Sequence, residues 1–274
     1  MTTLASIPVH QVFNSDQRFS ILIHALSKKG KSTLSSTAPM PILVLDAEGS
    51  WRFIPVRKRH WDPTVEGPPI YDGTWDVCIV TVQQWQTVEL VYRWITQTPH
   101  VFVSVVIDSI TEIQRRCKMN LRGIEALRTQ DWGTLLSVMD KVIRDFRDLT
   151  LVHSSSVRCV VFISETKQNV ERKYYPYMQG QISDSLPYFV DICGFLYPDY
   201  ETDANGQATE EVRRLWIGPN PPPPAPQFES GERVGGRLGY VQTIRKPPIG
   251  KVGTDITDWM KTIFSITDNV SESV

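Results

Sequence analysis

Eight residues, Ala25-Leu26-Ser27-Lys28-Lys29-Gly30-Lys31-Ser32, carry the densest chemical signal in this sequence of 274 residues. Gly30 tolerates backbone angles that other residues resist, and Lys31 and Ser32 follow it directly. In a loop of this spacing, successive N–H groups can face a single anion, and the start of a following helix adds partial positive charge. The pattern predicts a phosphate cradle in which Lys31 reaches the β- and γ-phosphates of a nucleotide and Ser32 places its hydroxyl on Mg²⁺. Ala25 stands where the pattern has its first Gly. Lys28 and Lys29 stand where small residues are common, so their side chains are expected to point outward or to help neutralise phosphate charge.

Two carboxylates fit beside such a cradle. Val103-Ser-Val-Val-Ile-Asp108 reads as a buried strand with Asp108 at its carboxyl end. A carboxylate there, expected beside the phosphate loop, would hold Mg²⁺, often through water. An ordinary helix cap is the plain alternative, because Asp108-Ser109 precedes a helical pattern. Asp46-Ala47-Glu48 follows the apolar run Ile42–Leu45, which puts Glu48 at the same sheet edge as a water-positioning group or general base. The plain alternative for Glu48 is a solvated turn acid.

The elements that would position these residues are legible as alternating strands and helices. Phe19–His24, Ile42–Leu45, Val77–Val82, Val101–Ile107 and Val157–Ile163 are apolar without in–out alternation, as strands buried on both faces are. Helical spacing appears over Gln84–Thr96, Ser109–Leu121 and Trp132–Leu149, and a short helix should follow Ser32 until Pro39 and Pro41 stop it. Residues 51–76 form a long irregular excursion rich in Trp, Pro and Gly. Phe189–Tyr197 and Val212–Ile217 flank Asn205-Gly206, a hairpin signal. Six prolines lie within Pro219–Pro226, an extended connector. Asp255–Ile266 closes the pattern as a short helix. These readings divide the chain into an arm (1–18), an α/β core (19–218) and a Pro/Gly-rich linker and tail (219–274).

Composition narrows the class. With 41% hydrophobic and 22% charged residues, the chain can bury a core of its own. A formal net charge of −1 gives no global attraction for nucleic acid, so such binding would need local basic segments. Cys78, Cys117, Cys159 and Cys193 have no metal or redox spacing and read as buried thiols of a reducing compartment. Neither a signal-peptide pattern nor an apolar run of membrane-spanning length is found, and the expected location is the cytoplasm. His24 reads as structural. His60, His100 and His153 lack metal spacing, Trp75, Trp85 and Trp94 read as packing residues, and Trp51 and Arg52 either border a nucleotide or pack.

Ala25–Thr33, Leu45-Asp46-Ala47-Glu48 and Val106-Ile107-Asp108-Ser109 together resemble the RecA-like recombinase ATPases. The compact phage-encoded members, grouped with AAA-type P-loop proteins and linked to single-strand annealing, are the closer match, through the short N-terminus, Asp131-Trp132-Gly133 and the late strand pair. The resemblance spans roughly residues 19–217. It implies a RecA-like P-loop NTPase fold: a mainly parallel central sheet flanked by helices, with a C-terminal hairpin extension. It implies ATP and Mg²⁺, with Ala25 through Thr33 around the nucleotide, and hydrolysis stimulated by DNA. Glu165 stands where the family senses the γ-phosphate with a polar residue, often Gln; as a carboxylate it needs Mg²⁺, water or a cation between itself and phosphate.

The resemblance further implies single-stranded DNA as a partner. Lys167, Arg172, Lys173, Tyr174 and Tyr175 mix cations with rings, as single-strand contacts do. A second basic stretch comprises Arg115, Arg116, Lys118, Arg122 and Arg128. Arg245, Lys246 and Lys251 are candidates for a cation acting in trans within a homo-oligomeric ring or filament, and a single-strand DNA-binding protein is a further candidate partner. The host cytoplasm would be the location of a phage-encoded protein. A P-loop kinase acting on a nucleotide or small molecule, and a non-catalytic nucleotide-binding assembly factor, are the alternatives.

Overall fold

A computed structural model describes residues 17–219, 226–244 and 255–265. The described chain runs β1 (Phe19–Ala25), α1 (Lys31–Ser35), β2 (Ile42–Asp46), β3 (Lys58–His60), β4 (Val77–Thr81), α2 (Trp85–Gln97), β5 (Ser104–Asp108), α3 (Ile110–Arg122), α4 (Thr129–Asp148), β6 (Cys159–Gln168), β7 (Lys173–Pro176), α5 (Ile182–Phe189), β8 (Ile192–Thr202), β9 (Ala208–Trp216), β10 (Gln227–Phe228), β11 (Gly231–Glu232), β12 (Val241–Ile244) and α6 (Asp255–Phe264).

The strand order is β12-β9-β8-β1-β6-β5-β2-β4-β3. From β8 to β3 every neighbouring pair is parallel. β9 and β12 extend the sheet with antiparallel pairing. All seven residues of β1 and all five of β2 and of β5 are buried, which is why these segments show no polar alternation in sequence. One sheet face carries α2, α3, α4 and α5 over Leu22, Leu43, Leu45, Val105, Ile107 and Phe162. The other carries α1 and α6 over Ile21, Ile23, Val44, Val106 and Val161.

Asp108 lies beside the phosphate loop, but its strand does not adjoin the strand that leads into that loop. β5 does not lie beside β1, because β6 pairs with both and separates them. The hydrophobic pattern identifies strands but carries no information on their lateral order.

The excursion over residues 51–76 is anchored. Trp51, Trp61 and Trp75 are buried, and Trp61 and Trp75 pack on Phe102. The Asp62 and Asp72 carboxylates accept from the backbone and hydroxyl of Thr64 and Thr74, closing two tight turns. α1 is short for a local reason. The hydroxyls of Ser35, Ser36 and Thr37 donate to the carbonyls of Lys31, Thr33 and Leu34, satisfying helix-end acceptors without further turns.

The segment expected to be a linker and tail is bonded to the rest in its described parts. β10 pairs with β7, β11 with β8 and β12 with β9. α6 is fastened to the turn after α1 by Thr37, whose hydroxyl accepts from the Ile256 N–H and whose carbonyl accepts from the Thr257 hydroxyl. Of the expected N-terminal arm only Gln17 and Arg18 are described; the Arg18 guanidinium donates to the carbonyls of Val152, His153, Ser155 and Val157 at the entry to β6. No helix among the described residues is long and apolar enough to cross a membrane.

Candidate nucleotide site

The phosphate loop leaves the carboxyl end of β1 and returns at Lys31. Two of its residues turn left-handed, Lys28 at φ 61° and Gly30 at φ 94°. Gly30 takes that conformation freely, whereas a lysine does so at a cost of about 1–2 kcal/mol. Lys28 is exposed, so the strained backbone and the outward side chain occur together. The Lys31 ammonium folds back over the loop and donates to the carbonyls of Ala25 (3.2 Å) and Leu26 (3.3 Å), the position from which it can meet phosphate oxygens. Burial lowers the pKa of this ammonium, and the nearby carboxylates Glu48, Asp108 and Glu165 oppose that shift.

Ser32, in α1, and Asp108, at the end of β5, converge although β1, which leads into the loop, is not adjacent to β5. Ser32 Oγ donates to Asp108 Oδ2 at 2.6 Å. The same oxygen accepts from Ser50 Oγ (3.1 Å) and from the Trp51 indole Nε1 (2.8 Å). Asp108 is 1% exposed, and burial raises its carboxyl to about 6 despite these three donors. Asp46, at the end of β2, holds the donors in place: its Oδ1 accepts from the backbone of Gly49 (2.8 Å) and Ser50 (3.2 Å), and its Oδ2 from that of Trp51 (3.3 Å).

The oxygen-only pair of Ser32 and Asp108 fits Mg²⁺, which is bound through one or two protein oxygens with phosphates and water completing its shell. Among the described residues no group of three or more His, Cys, Asp or Glu is arranged to hold a metal by itself, so phosphate oxygens and water have to supply the remaining ligands.

Glu48 is exposed at the carboxyl edge of the sheet, and its Oε1 accepts from Ser109 Oγ. Ser109 also accepts the Glu112 N–H and so caps α3. The capping role considered for Asp108 belongs to Ser109. Glu165 pairs in register with Ala25 across β1 and β6. Its carboxylate is gripped by both terminal nitrogens of Arg115, at 2.7 and 2.8 Å. That guanidinium pulls the Glu165 carboxyl below its ordinary value.

His24, next to the loop, is fully buried. Its Nε2 faces the Glu229 carbonyl at 2.7 Å, so Nε2 carries the hydrogen, and Nδ1 accepts from the Thr166 hydroxyl at 2.9 Å. Burial lowers its pKa to about 4, holding the ring neutral.

The basic and aromatic segment after Glu165 is a hairpin of β6 and β7. Arg172 is exposed in its turn, with φ 63°. Lys167 lies 3.5 Å from the centroid of the Tyr177 ring. Lys173 pairs with Glu229, and Tyr174 stacks on Phe195 at 5.3 Å, so both are partly engaged within the protein. Tyr175 is half-buried in β7. In the second basic stretch Arg115 and Arg116 pair with Glu112, Arg122 pairs with Glu125 and Asp131, and Lys118 lies over the Trp132 ring. Arg245, Lys246 and Lys251 lie outside the described residues.

Sequence reasoning missed Asp46 and Ser50 and left Trp51 undecided. Their spacing after β2 carried one usable signal: an acid, a hydroxyl and an indole within six residues of a sheet edge.

A glycine-turned phosphate loop at the end of a central parallel strand, with an acid from a second strand bonded to the loop's serine, defines a P-loop nucleoside triphosphatase domain. Residues 17–223 match the family described as AAA domain, and the chain belongs to that family. No curated protein matches it. Among solved structures, an ATPase from the type III secretion system of pathogenic bacteria is similar at 14% identity and a TM-score of 0.43, over 65% of this chain and 52% of that one. The chain thus spans about half of that ATPase, and the likeness is too distant to bear on function.

Proposed function

We propose that the chain hydrolyses ATP with Mg²⁺ at this site and uses the cycle to grip and release single-stranded DNA, as a phage-encoded recombination or annealing protein of the host cytoplasm. The observation that carries the catalytic part is the convergence of Lys31, Ser32, Asp108 and Glu48 on one sheet edge. The loop amides and Lys31 hold the β- and γ-phosphates and offset the charge that builds in phosphoryl transfer. Ser32 and Asp108 hold Mg²⁺, which when bound neutralises phosphate charge. Glu48, steadied by Ser109, accepts a hydrogen bond from the attacking water and orients it towards the γ-phosphate.

Glu165 and Arg115 support the link to DNA. The same strand carries Glu165 beside the phosphate loop and Lys167 in the hairpin. The Glu165 N–H donates to Thr111 of α3, and its carbonyl accepts from the Tyr177 N–H after the hairpin. A change at the phosphates therefore reaches Lys167 and Arg172, which face phosphates of the DNA strand, with Lys173, Tyr174 and Tyr175 freed as partners open. A neighbouring copy in a ring or filament would supply Arg245, Lys246 or Lys251 to the site.

The test is ATP turnover with and without single-stranded DNA, in wild type, Lys31→Ala and Glu48→Gln. Turnover lost in Lys31→Ala, nucleotide binding retained without turnover in Glu48→Gln, and stimulation by DNA are expected. Unchanged turnover in Glu48→Gln removes its assignment. Turnover indifferent to DNA, with no DNA binding, defeats the recombination reading and leaves a DNA-independent nucleotide enzyme.

A further inference from the structure

Arg213 is far in sequence from the phosphate loop, yet its side chain ends there. It stands in β9 opposite Pro198 of β8 and Ile244 of β12, so strands on both sides fix its backbone. β8 runs parallel to β1 with Phe195 level with His24. Pro198 is three residues beyond Phe195, which puts Arg213 past the end of β1, at the height where the chain turns into the loop. Alternation along β9 puts Arg213 on the face of Leu215, the face that packs Leu34 of α1. There Arg213 Nε donates to the Lys29 carbonyl at 3.2 Å and lies 3.8 Å from the point where a Cβ on Gly30 would sit. Glu211, two residues earlier on the same face, pairs with the Arg213 guanidinium.

The local charge is informative. Lys28, Lys29 and Lys31 already place three cations on this loop. Holding a fourth against its backbone, with Glu211 as counter-charge, is unfavourable unless the place is built for a polyanion. Glu48, Asp108 and Glu165, which face Lys31, lie just after β2, at the end of β5 and in β6, on the other side of β1 from Arg213. A guanidinium also matches phosphate by geometry as well as charge.

We propose that Arg213 binds the nucleotide in cis, contacting its phosphates from the β8–β9 side of the loop, and that Glu211 is the partner it leaves when a nucleoside di- or triphosphate arrives. This rests on the phosphate-site reading above and extends it. Arg213 approaches from the side away from Glu48 and Asp108, so it meets the phosphates that remain in the product rather than the one that departs. It therefore strengthens the binding of ADP and ATP alike.

Equilibrium binding of fluorescent ADP and ATP with Mg²⁺ to the full chain, in wild type, Arg213→Ala, Arg213→Lys, Glu211→Gln and the Glu211→Gln/Arg213→Ala double variant, tests this. Arg213→Ala is expected to weaken both nucleotides by the same factor, roughly ten- to a hundredfold, the loss of one charge-assisted contact. Arg213→Lys recovers part of that loss. Glu211→Gln tightens both nucleotides, because the competing carboxylate is gone, and the double variant binds like Arg213→Ala. A residue that merely props the loop would not produce tighter binding in Glu211→Gln. The inference is overturned if Arg213→Ala binds ADP as wild type does, or if Glu211→Gln leaves binding unchanged or weaker. Failure of the phosphate site reads differently: wild type itself would bind neither nucleotide, and both readings would fall together.

Discussion

Two buried titratable groups near the phosphate loop push stability in opposite directions as pH changes. Burial raises the Asp108 carboxyl to about 6 and lowers the His24 imidazole to about 4; unfolded, the two return to about 3.9 and 6.5. Between roughly pH 4 and 6 the folded chain keeps an Asp108 proton that the unfolded chain has released, so this group makes stability fall as pH rises. Over nearly the same window the unfolded chain binds a proton on His24 that the folded chain rejects, so this group makes stability rise with pH. At about 1.36 kcal/mol per pKa unit, each integrates to about 3 kcal/mol, and in the wild type they largely cancel. Removing either one exposes the other. Relative to wild type, Asp108→Asn should gain about 2 kcal/mol between pH 4.5 and 6, and His24→Gln should lose a similar amount. For a chain of this size that is a Tm change of about 4–8 °C in each direction. Thermal unfolding followed by circular dichroism at stepped pH, without nucleotide or metal, gives both curves. The slopes decide, because any constant loss from repacking shifts a curve without tilting it. Difference slopes of the same sign, or flat ones, would refute the assignment of these groups as buried and oppositely perturbed.

Trp51→Phe removes the indole N–H from Asp108 and leaves a gap in a fully buried site. It should cost about 2–4 kcal/mol in urea unfolding and lower the Mg²⁺-dependent affinity for nucleotide. Lys31→Ala should weaken nucleotide binding roughly a hundredfold by titration while leaving stability equal or higher, since a desolvated cation is removed. At the left-handed Lys28, replacement by Gly should change stability by less than about 1 kcal/mol, whereas Val should destabilise by about 1–2 kcal/mol, as denaturant midpoints would show.

The strands that carry the site were legible because they are buried on both faces and therefore uniformly apolar. The hairpin of β8 and β9 was legible from its Asn205-Gly206 turn. α5 was not: Pro187 lies inside it and reads as a breaker, although Ile182, Leu186 and Phe189 do repeat at helical spacing on its buried side. The internal partners of the β6–β7 hairpin were not legible, because sequence cannot show that Glu229 and Phe195, distant in the chain, meet Lys173 and Tyr174. The same limit hid the partners of Asp108. A carboxylate at a strand end is visible in sequence, but the serine and indole that saturate it arrive from another strand's loop. Long-range pairing, rather than local propensity, separates what could be read from what could not.

The strand between the phosphate loop and its acid acts as a gauge block. β6 is bonded on one side to β1 and on the other to β5, and each strand-to-strand step is about 4.8 Å, so the backbones of the two jaws, β1 and β5, stand about 10 Å apart. That opening is set by main-chain hydrogen bonds and is indifferent to which apolar side chains line Val160, Val161 or Phe162. Core substitutions along β6 can therefore alter how firmly the fold holds without altering the width between the jaws, so the robustness of the scaffold and the calibration of the site can vary independently.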